Sequence, residues 1–108
     1  MSWDIWLITE LDGHEVEVVG GINYTHNCNE MIREAGLEEW PYEVEDLPAV
    51  ELATKLDLAI ANLEADPKKY RAMNPDNGWG SYDTLLPILR NVRDRCRTYP
   101  SARVRMSA

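Results

Sequence analysis

The sequence predicts an α+β fold in which about three helices pack on one face of a small antiparallel sheet. Two β-rich runs flank a turn near the N-terminus, helical stripes fill the middle of the chain, and a segment with period-two alternation follows them. The predicted order is β-β-α-α-α-β. A chain of 108 residues can bury one core, so we predict a single domain over residues 1–108.

The first two predicted elements form a β-hairpin. Residues 3–9 are rich in aromatic and β-branched side chains, and the turn pair Asp12-Gly13 separates them from residues 15–19. Glu and Val alternate in the second run, so one face of that strand should contact water. We expect Gly20-Gly21 to end the strand and to turn the chain sharply.

A short helix and an irregular connection are predicted next. Asn27 or Asn29 is the expected N-cap of the helix, and Gly36 is expected to end it. Residues 37–46 are rich in acidic side chains and include Trp40 and Pro41. This composition is typical of a solvated surface segment.

Apolar residues at three- and four-residue steps predict a longer helix between the start signal Asp46 with Pro48 and the stop signal Asp66-Pro67. This stripe consists of Leu52, Leu56, Ala59, Ile60 and Leu63. Residues 67–73 are expected to add one further helical turn.

Ser81 is the expected N-cap of the last helix, and Asp83 would lie in its favourable first turn. Pro87 inside this helical pattern predicts either a kink or a later start. Residues 102–106 alternate with period two, and we expect them to form a third strand that returns to the hairpin.

The charge is divided unequally between the two halves of the chain. The net charge is −8, made up of −14 in residues 1–66 and +6 in residues 67–108. An acidic balance argues against direct binding to nucleic acid or to an acidic membrane surface. Arg90, Arg93 and Arg97 share one helical face and could bind an anion, but pairing with the acidic first half is the expected role.

Cysteine and histidine usage indicates no cofactor and no metal. Cys28 and Cys96 are far apart, so we expect reduced, core-facing thiols in a cytoplasmic protein. No apolar run approaches the roughly 20 residues of a membrane-spanning helix. His26 has no metal-binding motif around it, and Walker and Rossmann glycine patterns are absent.

Two polar segments, residues 23–27 and 74–80, carry amide, hydroxyl, imidazole and indole groups immediately before helical patterns. Turn and capping chemistry can explain both segments. Trp79 between two glycines either packs into the core or stacks on a ligand, and the usual burial of large aromatic residues favours the core.

Three sequence strings, all of which overlap these polar segments, carry a resemblance to a known family. They are Asn-Tyr-Thr-His-Asn at 23–27, Ala-Asp-Pro-Lys-Lys-Tyr-Arg-Ala-Met-Asn-Pro at 65–75 and Asn-Gly-Trp-Gly-Ser-Tyr at 77–82. With them, nearly the whole chain resembles a family of small phage and bacterial proteins. The resemblance implies a shared fold and a shared site, and it favours an accessory role without implying an activity.

The leading hypothesis is a non-enzymatic binding protein whose two polar segments, 23–27 and 74–82, form a pocket for a nucleotide-like or similarly flat polar ligand. The hypothesis assigns hydrogen bonding, stacking and anion binding to one set of residues. These are Asn23, Tyr24, Thr25, His26, Asn27, Asn74, Asn77, Trp79, Tyr82, Arg90 and Arg93.

Two alternatives remain open at this point. The acidic segment 37–46 could bind or inhibit a protein partner through Trp40 and Tyr42. An enzyme that uses His26 as a general base is the third hypothesis.

Overall fold

The computed structural model describes residues 1–108 and confirms the predicted α+β class and the β-β-α-α-α-β order, with one further short helix. The regular elements are β1 (Ser2–Leu11), β2 (His14–Thr25), α1 (Asn29–Glu34), α2 (Ala49–Ala65), α3 (Pro67–Arg71), α4 (Tyr82–Thr98) and β3 (Arg103–Ser107). Short 3₁₀ helices lie at His26–Cys28 and Tyr42–Val44.

The three strands form one antiparallel sheet in the order β2-β1-β3. Asp12 and Gly13 join the first two strands with positive φ values of 52° and 79°, as a tight hairpin turn requires. Trp3, Ile5 and Leu7 of the central strand are buried. They alternate along β1, so the period-two pattern places them on the face that carries the core.

Strand β2 is longer than predicted, and the expectation that Gly20-Gly21 end it is wrong. Ile5 pairs with Ile22 and Leu7 pairs with Val19, so both glycines lie opposite the single residue Trp6. This is a β-bulge, in which an extra residue is accommodated while the strand continues. As a result, Asn23, Tyr24 and Thr25 belong to the sheet instead of a loop.

The cap predicted for α1 is also wrong. Thr25 caps the preceding 3₁₀ turn, since its Oγ1 accepts a hydrogen bond from the Asn27 backbone N–H at 3.3 Å. Asn29 is buried, and its Oδ1 accepts a hydrogen bond from Trp40 Nε1 at 3.0 Å. Leu37, Trp40 and Val44 are buried as well, so residues 37–46 are not simply a surface connection.

The stripe predicted on α2 is buried along its full length, and α2 packs against α4. Helix α4 begins with a capping box, in which Ser81 Oγ accepts the Thr84 N–H at 3.2 Å and Thr84 Oγ1 accepts the Ser81 N–H at 3.2 Å. The helix includes Pro87 and still begins at Tyr82, so the predicted later start is wrong. Pro87 is exposed, which leaves the buried face of α4 undisturbed.

Ion pairs join the basic second half of the chain to the acidic first half, as expected. Arg97 of α4 lies 2.6 Å from Asp57 of α2, and Arg105 of β3 contacts both Asp46 and Glu15. Hydrogen bonding to Glu15 and to Asp46 raises the pKa of Arg105, and the hydrogen bond from Arg105 lowers the pKa of Asp46. None of the helices has the length and apolar composition needed to cross a membrane.

Candidate functional site

The two polar segments meet beside the end of β2 and enclose an open cleft of about 710 Å³. Six of the predicted site residues line it: Asn23, Tyr24, Thr25, Asn27, Asn77 and Trp79. Met1, Ser2, Gly80 and Thr84 complete the lining; none of the four was named as a site residue, although Gly80 lies within the predicted segment 74–82. Of these four, Thr84 follows Ser81 at capping-box spacing, which is the sequence signal that could have placed it at the site.

Hydrogen bonds of Asn27 connect the two segments directly. Its Nδ2 donates to the backbone carbonyl oxygen of Trp79 at 3.2 Å and approaches Oδ1 of Asn77 at 3.5 Å. The same Asn77 oxygen accepts the Trp79 backbone N–H at 2.9 Å. One side-chain amide from each segment therefore holds the backbone beside the indole.

Tyr24 forms a second connection between the segments. Its phenol oxygen accepts the Ser81 N–H at 3.1 Å and lies 2.7 Å from Thr84 Oγ1. Burial raises the pKa of the Tyr24 phenol, so the group is neutral at physiological pH and acts as a hydrogen-bonding group instead of a base. Burial also raises the pKa of the neighbouring Cys28 thiol, the opposite of what a nucleophilic cysteine needs.

Trp79 is 71% exposed, so the interpretation that it packs into the core is wrong. Gly78 and Gly80 have φ values of 75° and 92°, a left-handed backbone that glycine adopts without a steric penalty. These two glycines let the chain turn tightly on either side of the indole. The ring is thereby presented at the wall of the cleft, where it can stack on a ligand.

Asn23 also lines the cleft and is held through its amide nitrogen. Nδ2 of Asn23 lies 3.0 Å from Ser2 Oγ, 3.2 Å from the Trp3 carbonyl oxygen and 3.1 Å from Asp4 Oδ1. The Oδ1 atoms of Asn23 and Asn27 have no hydrogen bond within the protein, and both side chains are exposed. Two amide oxygens are therefore available to a ligand.

Three of the predicted aromatic and polar residues lie elsewhere. Asn74 Oδ1 accepts the Tyr82 N–H at 2.8 Å, so Asn74 stabilises the start of α4. Tyr82 is buried, and its hydroxyl donates to the Leu63 carbonyl oxygen at 2.8 Å, so its ring is not a free stacking surface. His26 does not line the cleft; it is half-buried, and its Nε2 is enclosed without a hydrogen bond.

The structure does not bring the two predicted anion-binding arginines to the cleft. Arg90 lies 3.6 Å from Glu64 and Arg93 lies 3.6 Å from Asp57, which are both residues of α2. Neither arginine is among the lining residues. These side chains connect the two long helices, which is the pairing with the acidic first half that the charge division predicts.

Only part of the predicted acidic interface is on the surface. Trp40 is buried against Trp3, with ring centroids 5.2 Å apart, so it is not available as an anchor for a partner. Tyr42 is 79% exposed and remains available. Glu43 lies 3.7 Å from Lys55, which partly neutralises this end of the acidic segment.

No protein-family model matches the chain, and no curated protein or solved structure matches it either. The resemblance to small phage and bacterial proteins therefore stays a prediction. No group of three or more His, Cys, Asp and Glu side chains is arranged to hold a metal ion. The candidate site is thus defined by its geometry alone.

Proposed function

We propose that this protein is a non-enzymatic binding protein, and that the cleft between residues 23–27 and 77–80 takes a small, flat, polar ligand such as a nucleotide-like molecule. The observation that carries the proposal is the exposed indole of Trp79 at the wall of a cleft that also contains three asparagine side chains. A large exposed ring stabilises a monomeric fold very little, whereas a ring beside convergent amide groups is typical of a ligand site.

The hydrogen bonds around the indole also support a preorganised site. Trp79 is held by its own backbone contacts to Asn27 and Asn77, and the start of α4 is held by Tyr24. A site whose backbone is already fixed loses less conformational entropy when a ligand binds. The unpaired, buried thiols of Cys28 and Cys96 are compatible with the reducing cytoplasm, where we propose that the protein acts.

The first experiment combines mass spectrometry of co-purified small molecules with calorimetry against a panel of flat polar compounds. We expect Trp79→Ala to weaken binding about tenfold or more, because stacking of a ring on an aromatic side chain contributes roughly 1–3 kcal/mol. Tyr42→Ala is the matched control, since Tyr42 is 79% exposed and lies outside the cleft. Equal binding by Trp79→Ala and the wild type would refute the proposal, as would the absence of any ligand in both assays.

A protein-interaction role through residues 37–46 is a second proposal, favoured by the exposure of Tyr42 within an acidic segment. Charge reversal at Glu38 and Glu39 should then weaken capture of a basic partner, and added salt should weaken it too. Both glutamates are exposed, so these changes leave the core intact. A partner that stays bound to the double variant would exclude this surface.

A further inference from the structure

We infer that the cleft selects an uncharged heteroaromatic ring, of the nucleobase or nucleoside class, over the phosphorylated form of the same compound. This inference rests on the proposed function and narrows its ligand. No lysine or arginine side chain lines the cleft. None of the ten lining residues has a charged side chain of either sign.

The start of α4 lies beside the cleft, and helix N-termini often bind phosphate through free backbone N–H groups. Here three of those groups are already used within the protein, and only the Asp83 N–H has no partner. The Ser81 N–H donates to the Tyr24 hydroxyl at 3.1 Å, the Tyr82 N–H to Asn74 Oδ1 at 2.8 Å, and the Thr84 N–H to Ser81 Oγ at 3.2 Å. Several N–H groups are needed to hold a phosphate at a helix N-terminus, so a phosphate could gain more than the Asp83 N–H only by displacing hydrogen bonds that hold the fold.

The charges around the cleft also disfavour an anion. Asp4 Oδ1 lies 3.1 Å from the amide nitrogen of Asn23, and the exposed Asp76 directly precedes Asn77. Asp83 lies in the first turn of α4, and its carboxylate pairs with Arg71 at 2.9 Å. Arg71 is thereby committed to a partner, and the carboxylates near the cleft repel a phosphate.

The hydrogen-bonding groups left free in the cleft suit a neutral ring with both donors and acceptors. Oδ1 of Asn23 and Oδ1 of Asn27 can accept, whereas Nδ2 of Asn77 and Nε1 of Trp79 can donate, and none of the four atoms has a hydrogen bond within the protein. The edge of a nucleobase presents both kinds of group, and its face can stack on the indole.

Calorimetry with the four common ribonucleosides and their 5′-monophosphates tests the inference. We expect at least one nucleoside to bind and its monophosphate to bind about tenfold more weakly, a difference equivalent to about 1.4 kcal/mol. The difference should shrink as salt is added, because salt screens the repulsion between exposed charges. A monophosphate that binds as tightly as its nucleoside overturns the inference while the proposed function stands.

A charge variant gives an independent test. Asp76→Lys places a cation at the edge of the cleft. It should therefore reduce the difference in affinity between a nucleoside and its monophosphate. Glu10→Lys is the matched control, because it makes the same change in charge on an exposed residue of the hairpin, outside the cleft. It should leave the difference in affinity unchanged. Equal effects of the two variants overturn the inference. If Trp79-dependent binding is found only for rings unrelated to nucleobases, the inference fails and the proposed function survives.

Discussion

A Cβ atom added to Gly80 would lie only 2.7 Å from Cγ2 of Thr25. The same Cβ would lie 3.1 Å from both Cys28 Sγ and the Tyr24 hydroxyl. The backbone of the Trp79 segment therefore rests directly on the end of β2, with no room for a side chain between them. This contact sets the position of the indole-bearing wall of the cleft.

Gly80→Ala should consequently destabilise the protein by about 2–4 kcal/mol, because the change combines positive-φ strain with a steric clash. Gly78→Ala is the matched control: Gly78 also has a positive φ of 75°, but no heavy atom lies within 4 Å of an added Cβ. It should cost about 1–2 kcal/mol from strain alone. Urea denaturation measures the free energy of unfolding of both variants. An equal decrease in the two would show that the close contact at Gly80 does not contribute to stability.

The long helices could be predicted from the sequence because their signals are local. The α2 stripe repeats at helical spacing, and the capping box of Ser81 and Thr84 lies within one turn of α4. The continuation of β2 past Gly20-Gly21 could not be predicted, since it depends on how β1 pairs with a bulge opposite Trp6. Register is a property of two strands together, and one strand's composition does not specify it.

The burial of Trp40 and the exposure of Trp79 were the features that the sequence predicted least well, because neither residue lies in a periodic segment. Trp40 is buried because Asn29 accepts its indole N–H and Trp3 packs on its ring. Trp79 is exposed because the neighbouring Gly80 lies directly against Thr25 of β2, which keeps this segment on the surface. Both outcomes depend on residues distant in the sequence, so neither composition nor periodicity distinguishes the two.

Tyr24→Phe should lower the free energy of unfolding by about 1–2 kcal/mol. The change removes one of the two acceptors of the Ser81 N–H and a hydrogen-bond partner of Thr84 Oγ1, while keeping the ring. Tyr42→Phe is the control, because the Tyr42 side chain is exposed and its hydroxyl makes no hydrogen bond within the protein. Urea denaturation of both variants measures the difference, and an equal effect would mean that the Tyr24 hydroxyl contributes nothing.

Cys96 should make the protein less stable at alkaline pH. Burial raises the pKa of its thiol from 9.0 to about 12, so the unfolded chain loses this proton first as the pH rises. The stabilisation is complete below the unfolded pKa and is lost as the pH rises toward the folded pKa.

The free energy of unfolding of Cys96→Ala should therefore approach that of the wild type between about pH 9 and about pH 12. Val92→Ala is the control, because it shortens another buried side chain of α4 and leaves the Cys96 thiol in place. Its free energy of unfolding should stay below that of the wild type by the same amount at every pH. A constant difference for Cys96→Ala across the same range would exclude this linkage.

Asn27→Ala should loosen the Trp79 segment without unfolding the protein. The lost hydrogen bonds to the Trp79 carbonyl oxygen and Asn77 are exposed, so the cost should be about 0.5–1.5 kcal/mol, while amide hydrogen exchange in residues 76–80 should accelerate. Asn23→Ala is the control, since Asn23 lines the same cleft but bonds only to residues 2–4. Unchanged exchange in Asn27→Ala would mean that the glycine contact alone holds the segment.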